Sequence, residues 1–272
     1  MDPSIPWREI AERVFVRRYE FFDQTIGVVI GAAGAVVIDT RAVPSQAEEL
    51  RDDLRRLTDA PLAAVINTHH HYDHTFGNAT FRPAPIWGHA RCATALQERG
   101  EDDRQRVMRE MPALAQELAR VEIVAPDVTF DEVGELDLGD RILALRHLGR
   151  GHTDNDLVVE VRGTQVLFVG DLYENGAPPS FGDAFPVAWA ATAARLAPMV
   201  NGVVVPGHGE PADRAFADRQ TGELGAVAAL CGAVLAGELG ADEAIRRSPY
   251  SVVTTRHALR RARIEALDLA GG

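Results

Sequence analysis

Thr68-His69-His70-His71-Tyr72-Asp73-His74 places four histidines and one aspartate in the six positions from His69 to His74. Imidazoles bind divalent transition metals well, and a carboxylate among them adds charge that holds a cation. The order is His-x-His-x-Asp-His. The apolar run Leu62 to Ile66 leads into it through Asn67, so the cluster sits where a short strand ends. Upstream, Ala35 to Ile38 is another apolar, β-branched run, and Asp39-Thr40 follows it. Between the two runs, Ser45-Gln46-Ala47-Glu48 fits a capping box, and Leu50, Leu54 and Leu57 recur at helical spacing. Strand, helix, then a strand ending in polar residues is the α/β pattern that binds ligands at strand carboxyl ends.

Outward from this unit the same alternation continues. Val14 to Val16 and Thr25 to Ile30 read as strands before it, and Pro85 to Trp87 after it. Ala90 to Arg120 reads as helix with breaks near Gly100 and Pro112, placed on the surface or over the site. Strands return at Val128 to Phe130, Arg141 to Leu148, Asp156 to Val161 and Gln165 to Val169. The turn Arg162-Gly163-Thr164 makes the last two a hairpin. Pro186 to Val200 reads as helix, Gly202 to Val205 as strand, and Ala212 onward as nearly all helix, broken at Ser248-Pro249-Tyr250.

Three further ligand-type residues stand on turns after apolar runs: His152, Asp171 and His208. Each has a glycine just before it, at Gly151, Gly170 and Gly207. A strand end fixes the position, and glycine allows a tight turn. His69, His71, Asp73, His74, His152, Asp171 and His208 are too many ligands for one tetrahedral zinc, and the right number for two ions that share a carboxylate. His69 and His71 share a side of an extended segment, while Asp73 and His74 must turn to serve a neighbouring ion. Two ions roughly 3.5–4 Å apart lower the pKa of a water between them toward neutrality.

This ordered set resembles the metallo-β-lactamase-fold superfamily, from about Phe15 to Gly209. The resemblance implies an αββα four-layer sandwich, in which two mixed β-sheets lie face to face, helices flank them and the metals sit at one edge. It implies that His69, His71 and His152 hold one metal, that Asp73, His74 and His208 hold the other, and that Asp171 bridges. Asp39 matches the family's acidic residue that orients ligands. The main class of zinc β-lactamases has Cys where Asp171 stands, so the resemblance points to the glyoxalase II-like thioesterases and the lactonases. The expected activity is a dinuclear hydrolase that cleaves an ester, thioester, lactone or lactam with a metal-bridging hydroxide. Asp73 would orient that nucleophile. The implied cofactor is two Zn2+, with Fe or Mn as alternatives. Lactonases resemble this chain in a tyrosine after the bridging Asp, which makes Tyr173 a candidate donor to the developing oxyanion. Two other activities fit parts of the pattern: a mononuclear iron persulfide dioxygenase and a non-catalytic metal-binding scaffold.

Size and charge narrow the partners. The 272 residues are 46% hydrophobic and 25% charged, with a net charge of -12. Such a surface repels nucleic acid and anionic membrane, which leaves a small-molecule substrate. All basic residues are Arg, so no lysine is available for Schiff-base chemistry. Cys92 and Cys231 form no Cys-x-x-Cys pair, and Met1 to Ser4 opens no signal peptide; a cytoplasmic protein with reduced thiols is expected. Residues 1–211 would form the catalytic domain and residues 212–272 a helical extension packed on it. Leu224 to Gly237 is too short for a membrane span and reads as a helix on the core, with a homodimer interface as the other placement. His70 reads as a bystander, and His89, His147 and His257 as ordinary residues. Asn175, Ser180 and Phe181 read as a substrate-facing rim or a plain loop. Arg256, Arg260, Arg261 and Arg263 read as a solvated helix face.

Overall fold

The inward and outward alternation of apolar residues decides the layering. The computed structural model describes residues 7–271; Met1 to Ser4, where no signal peptide is expected, lies outside them. The first sheet contains β1 (Arg8–Ala11), β2 (Val14–Tyr19), β3 (Gln24–Gly31), β4 (Gly34–Ile38), β5 (Leu62–Ile66), β6 (Ile86–His89) and β7 (Val128–Phe130), side by side in that order. β1 to β4 are antiparallel neighbours, and β4 to β7 run parallel. The second sheet contains β8 (Val133–Asp137), β9 (Ile142–Arg146), β10 (Val158–Val161), β11 (Val166–Gly170) and β12 (Val203–Pro206), antiparallel except for the parallel pair β11 and β12.

Both faces of the central strands are buried, which is why they read as unbroken apolar runs. In β4, Val36 and Ile38 join Ala64 and Ile66 of β5 in the core between the sheets, opposite Leu143, Leu145, Val159, Val166 and Phe168. Ala35, Val37 and Val65 face the other way, onto Ala47, Leu50 and Leu54 of α1 (Pro44–Leu57). On the second sheet, Leu167 and Val169 of β11 face outward onto α5 (Pro186–Leu196), α6 (Arg214–Leu235) and α8 (Val252–Gly271). The fold is thus the expected αββα sandwich. The short helices α2 (Tyr72–Thr75), α4 (Ala115–Leu118) and α7 (Ala241–Arg247) and the long α3 (Ala90–Glu110) complete it. Leu224, Val227 and Cys231 of α6 are buried with Ala193 and Leu196 of α5, so this apolar stretch packs on the core. Among the described residues no helix is long and apolar enough to cross a membrane.

Three local expectations are corrected. α1 starts at Pro44 with Val43 as an uncapped N-cap, so proline's preset φ starts the helix in place of a Ser45 capping box. α3 runs unbroken through Gly100, where a Cβ would stand 3.0 Å from Ile123 Cγ2; that glycine serves close packing. β1 and β8 are additional edge strands. Val133 to Asp137 mixes Gly, Glu and Asp and gives no apolar run.

The sheets approach closely at Gly27 of β3, where a Cβ would lie 2.3 Å from Phe168 Cε1. Gly27→Ala should therefore force the sheets apart or push Phe168 off its rotamer, at a cost of ~1–3 kcal/mol. Urea unfolding of the variant should show a lower midpoint with an unchanged slope.

Candidate metal centre

Four strand ends converge at one edge of the sandwich. β5 delivers the histidine cluster, and β11 ends at Gly170 just before Asp171. β12 leads through Pro206 to His208, and His152 lies on the connection between β9 and β10. After β5 the chain bends through Thr68 to His70, His71 is extended, and α2 then turns Asp73 and His74 inward. Asp171 Oδ2 is the focus. It lies 3.8 Å from His69 Nε2, 3.5 Å from the Nε2 atoms of His74 and His152, and 3.3 Å from that of His208. Asp73 Oδ2 lies 3.3 Å from His208 Nε2 and 3.5 Å from His74 Nε2. His71 Nδ1 lies 3.1 Å from His69 Nε2 and 2.8 Å from His152 Nε2. All seven sequence candidates for metal ligation therefore meet in one place.

What lies behind the rings decides what the inward nitrogens can do. Asp39 Oδ1 accepts from the Thr68 backbone N–H, and its Oδ2 accepts from Thr68 Oγ1, both at 2.8 Å. The same Oδ2 is 2.8 Å from His74 Nδ1. Carboxylates only accept, so Nδ1 carries the hydrogen and Nε2 of a neutral ring is left as a lone pair. His208 Nδ1 is likewise 2.7 Å from the Phe22 carbonyl. Thr68 Oγ1, its own hydrogen committed to Asp39, accepts from His69 Nδ1 at 3.1 Å. His69, His74 and His208 thus aim acceptor nitrogens at one another, an arrangement that suits a cation between them.

The electrostatics divide the rings: against burial, Asp171 and Asp73 hold His74 and His208 well above the usual imidazole range, where a cation bound between the carboxylates would take the place of the ring protons. Burial, then the neighbouring His74, holds His69 well below the usual imidazole range, and burial with His71 takes His152 down to about 4. Neutral rings are the form that binds metal. Against burial, His208 and His74 keep Asp171 ionised far below the ordinary carboxylate range. The trio His69, His71 and His152 and the trio Asp73, His74 and His208 each bring their ligand atoms within 4.8 Å of one another, as do His69, His74 and Asp171. The donor set, all imidazole nitrogen and carboxylate oxygen, suits two divalent cations. Glycine makes the approach possible. A Cβ on Gly207 would lie 2.1 Å from Asp171 Oδ1, and Gly170 has φ +52 with a Cβ position 2.8 Å from Thr68 Cβ.

A sequence model of the metallo-beta-lactamase superfamily matches residues 19–208. The chain belongs to this superfamily. Among curated relatives, the human acyl-coenzyme A thioesterase MBLAC2 is 28% identical over 233 residues, which cover 74% of this chain and 80% of the human protein. The Bacillus cereus metallo-beta-lactamase type 2 is 26% identical over 196 residues, which cover 69% of this chain and 68% of that protein. Solved structures share the fold. A metallo-beta-lactamase from Pontibacter korlensis superposes with a TM-score of 0.63 at 22% identity, over 80% of this chain and 98% of that one. The sec-alkylsulfatase Pisa1 from Pseudomonas superposes with a TM-score of 0.76 at 15% identity, over 95% of this chain and 50% of that one.

Within this superfamily frame the remaining candidates separate. The cluster floors a cavity of about 710 Å³ whose walls include Arg99, Arg106, Glu174, Asn175 and Ser180. Phe181 is buried against Trp189 instead. Tyr173 is a correction. It is fully buried, its hydroxyl lies 2.7 Å from Thr221 Oγ1, and its ring packs on Phe216. The turn after β11 that points Asp171 into the cavity points Tyr173 to the opposite side, into the helices. Two acids emerge that sequence reasoning missed. Glu174 is buried on the wall, where burial and then repulsion from Asp171 push its carboxyl up to about 8. Asp183 faces His71; burial opposes a charge on that ring, yet Asp183 lifts it to about 9. Asp183 carried no signal, because its partner His71 is remote in sequence. His89 caps α3 and packs its ring, tilted, against His147, an ordinary structural use.

Tyr173→Phe should cost roughly 0.5–1.5 kcal/mol of stability through the lost Thr221 hydrogen bond. Metal uptake should be unchanged. Thermal unfolding and metal analysis of the same preparation check both.

Proposed function

We propose that this chain is a dinuclear metal-dependent hydrolase of acyl substrates, with an acyl thioester as the favoured class. The observation that carries the reading is the set of ring nitrogens turned inward around Asp171 Oδ2, with His69, His74 and His208 fixed from behind by a hydroxyl, a carboxylate and a carbonyl. His69, His71 and His152 would hold one ion, Asp73, His74 and His208 the other, and Asp171 both. Zinc pairs, or iron or manganese in their place, supply Lewis acidity toward an acyl oxygen and lower the pKa of water toward neutrality. Asp73 Oδ2 faces the same space and would orient the attacking water and take its proton. Asp39 and Thr68 keep His69 and His74 in the required tautomer throughout.

The thioester preference rests on two supports. MBLAC2, at 28% identity, bears the name of an acyl-coenzyme A thioesterase. The cavity wall also presents Arg99 and Arg260, and among the described residues neither has a carboxylate within ion-pair distance. Arg106, beside them, is already paired with Asp103 and Glu110. Two free guanidinium groups suit a substrate whose leaving part carries negative charge. An ester, lactone or lactam remains chemically compatible with the same centre.

The purified chain should contain about two divalent ions, and it should hydrolyse acyl thioesters faster than neutral esters, lactones or β-lactams. Asp171→Ala should retain fewer ions and lose most turnover. Full metal loading and turnover in that variant would remove Asp171 as the shared ligand. One iron per chain with oxygen uptake on a persulfide would replace hydrolysis altogether. Separately, Arg99→Gln with Arg260→Gln should raise KM for an anionic acyl thioester about tenfold, the order of one charge-assisted hydrogen bond. KM for a neutral ester should stay the same.

A further inference from the structure

His71 is mounted differently from the other histidines of the centre. It turns Nδ1 inward, to within 2.8 Å of His152 Nε2, and sends Nε2 outward to lie 3.1 Å from both carboxylate oxygens of Asp183. A carboxylate accepts only, so the outer nitrogen carries hydrogen, and in the neutral ring the inner one keeps its lone pair. His70 converges on the same acid. Its Nε2 lies 3.6 Å from Asp183 Oδ2, while its Nδ1 accepts from Asn155 Nδ2 at 2.9 Å. With Nδ1 as acceptor, the ring hydrogen sits on Nε2 and also points at Asp183. Although His70, His71 and Asp183 are close enough to hold an ion, both ring nitrogens facing the acid already bear hydrogens. The trio is therefore an anchor and not a third metal site.

The anchor is itself held by the last helix. Arg261 of α8 donates from Nη2 to the Asp183 carbonyl at 2.8 Å and from Nε to the Ala184 carbonyl at 3.0 Å. About one turn further along α8, Glu265 accepts from the Val187 and Ala188 backbone N–H groups, both at 2.9 Å, at the start of α5. A planar guanidinium that grips two successive carbonyls fixes the backbone under Asp183, which a flexible ammonium would do poorly. Arg261, expected on a solvated face, is thus committed to the wall of the site.

We infer that Asp183 is a positioning residue for His71, and that α8, through Arg261, sets the ring tautomer and thereby the affinity of the ion held by His69, His71 and His152. The inference rests on the metal assignment proposed above and does not depend on which substrate is hydrolysed. Zinc affinity, measured by competition with a chromophoric chelator, should fall 10–100-fold in Asp183→Ala, the range typical of an outer partner of a ligating histidine. Asp183→Asn, whose amide oxygen can still accept from Nε2, should recover part of the loss. In ¹⁵N-histidine spectra of the zinc-loaded protein, His71 should be Nδ1-coordinated and Nε2-protonated, and this signature should weaken in Asp183→Ala. Arg261→Gln should lower affinity in the same direction. Asp183→Ala combined with Arg261→Gln should be no worse than Asp183→Ala alone. If Arg261→Gln fails to fold, Arg261→Lys, which cannot grip both carbonyls, gives the same comparison. Wild-type affinity and an unchanged His71 signature in Asp183→Ala would overturn this inference alone. A wild-type chain that takes up no metal would overturn the hydrolytic reading and this one together.

Discussion

Imidazole lone pairs do not face one another without a reason, and here they face one another around a single carboxylate oxygen. The arrangement has to be enforced from outside the cluster. Asp39, the Phe22 carbonyl and Asp183 do this for His74, His208 and His71, each by taking the ring hydrogen on the far side. The sandwich supplies those partners from separate places: a strand end of the first sheet, the turn before β3, and the loop after β11. The fold around the edge of the sheets is best understood as the scaffold for these outer contacts, with the orientation of the histidine cluster following from them.

Backbone strain is concentrated at the same edge. Asp39 has φ +66 and Arg41 has φ +71, although neither is glycine. Left-handed conformations at such residues cost on the order of 1 kcal/mol or more and persist where surrounding contacts over-determine them. For Asp39 those contacts are visible: three hydrogen bonds to one carboxylate, two of them from Thr68. Arg41 is buried over the Tyr19 ring, 3.7 Å from its centroid, and paired with Glu49 at 2.5 Å. The turn after β4 is thus fixed by polar contacts at its two ends.

Much of this was legible in the sequence because it is local or periodic. Runs such as Val36-Val37-Ile38 announce strands buried on both faces, and the layering follows. The histidine cluster is readable because its members are contiguous. His152, Asp171 and His208 are readable because a glycine and an apolar run precede each. Adjacency misleads at Tyr173, where two positions along a turn reverse the direction of the side chain. Residues whose role is created by distant contacts stay invisible. Asp183 meets His71 across 112 positions, and Arg261 reaches Asp183 across 78. Gly100 shows the converse: a helix-breaking residue type whose small size, and not its flexibility, is what the structure uses.

The two triads have one further property in common. Each takes two ligands from the segment after β5, on the first sheet, and one from a loop of the second: His152 for one and His208 for the other. Any ion bound there is a cross-link between the two halves of the sandwich. An unfolded chain has no such preformed site, so occupancy would raise the cost of separating the sheets, by about 1.4 kcal/mol for each tenfold excess of free ion over its dissociation constant. On that footing the metal supply of the surroundings would govern the survival of the folded chain as well as its chemistry, and starvation for the ion would expose it to proteolysis.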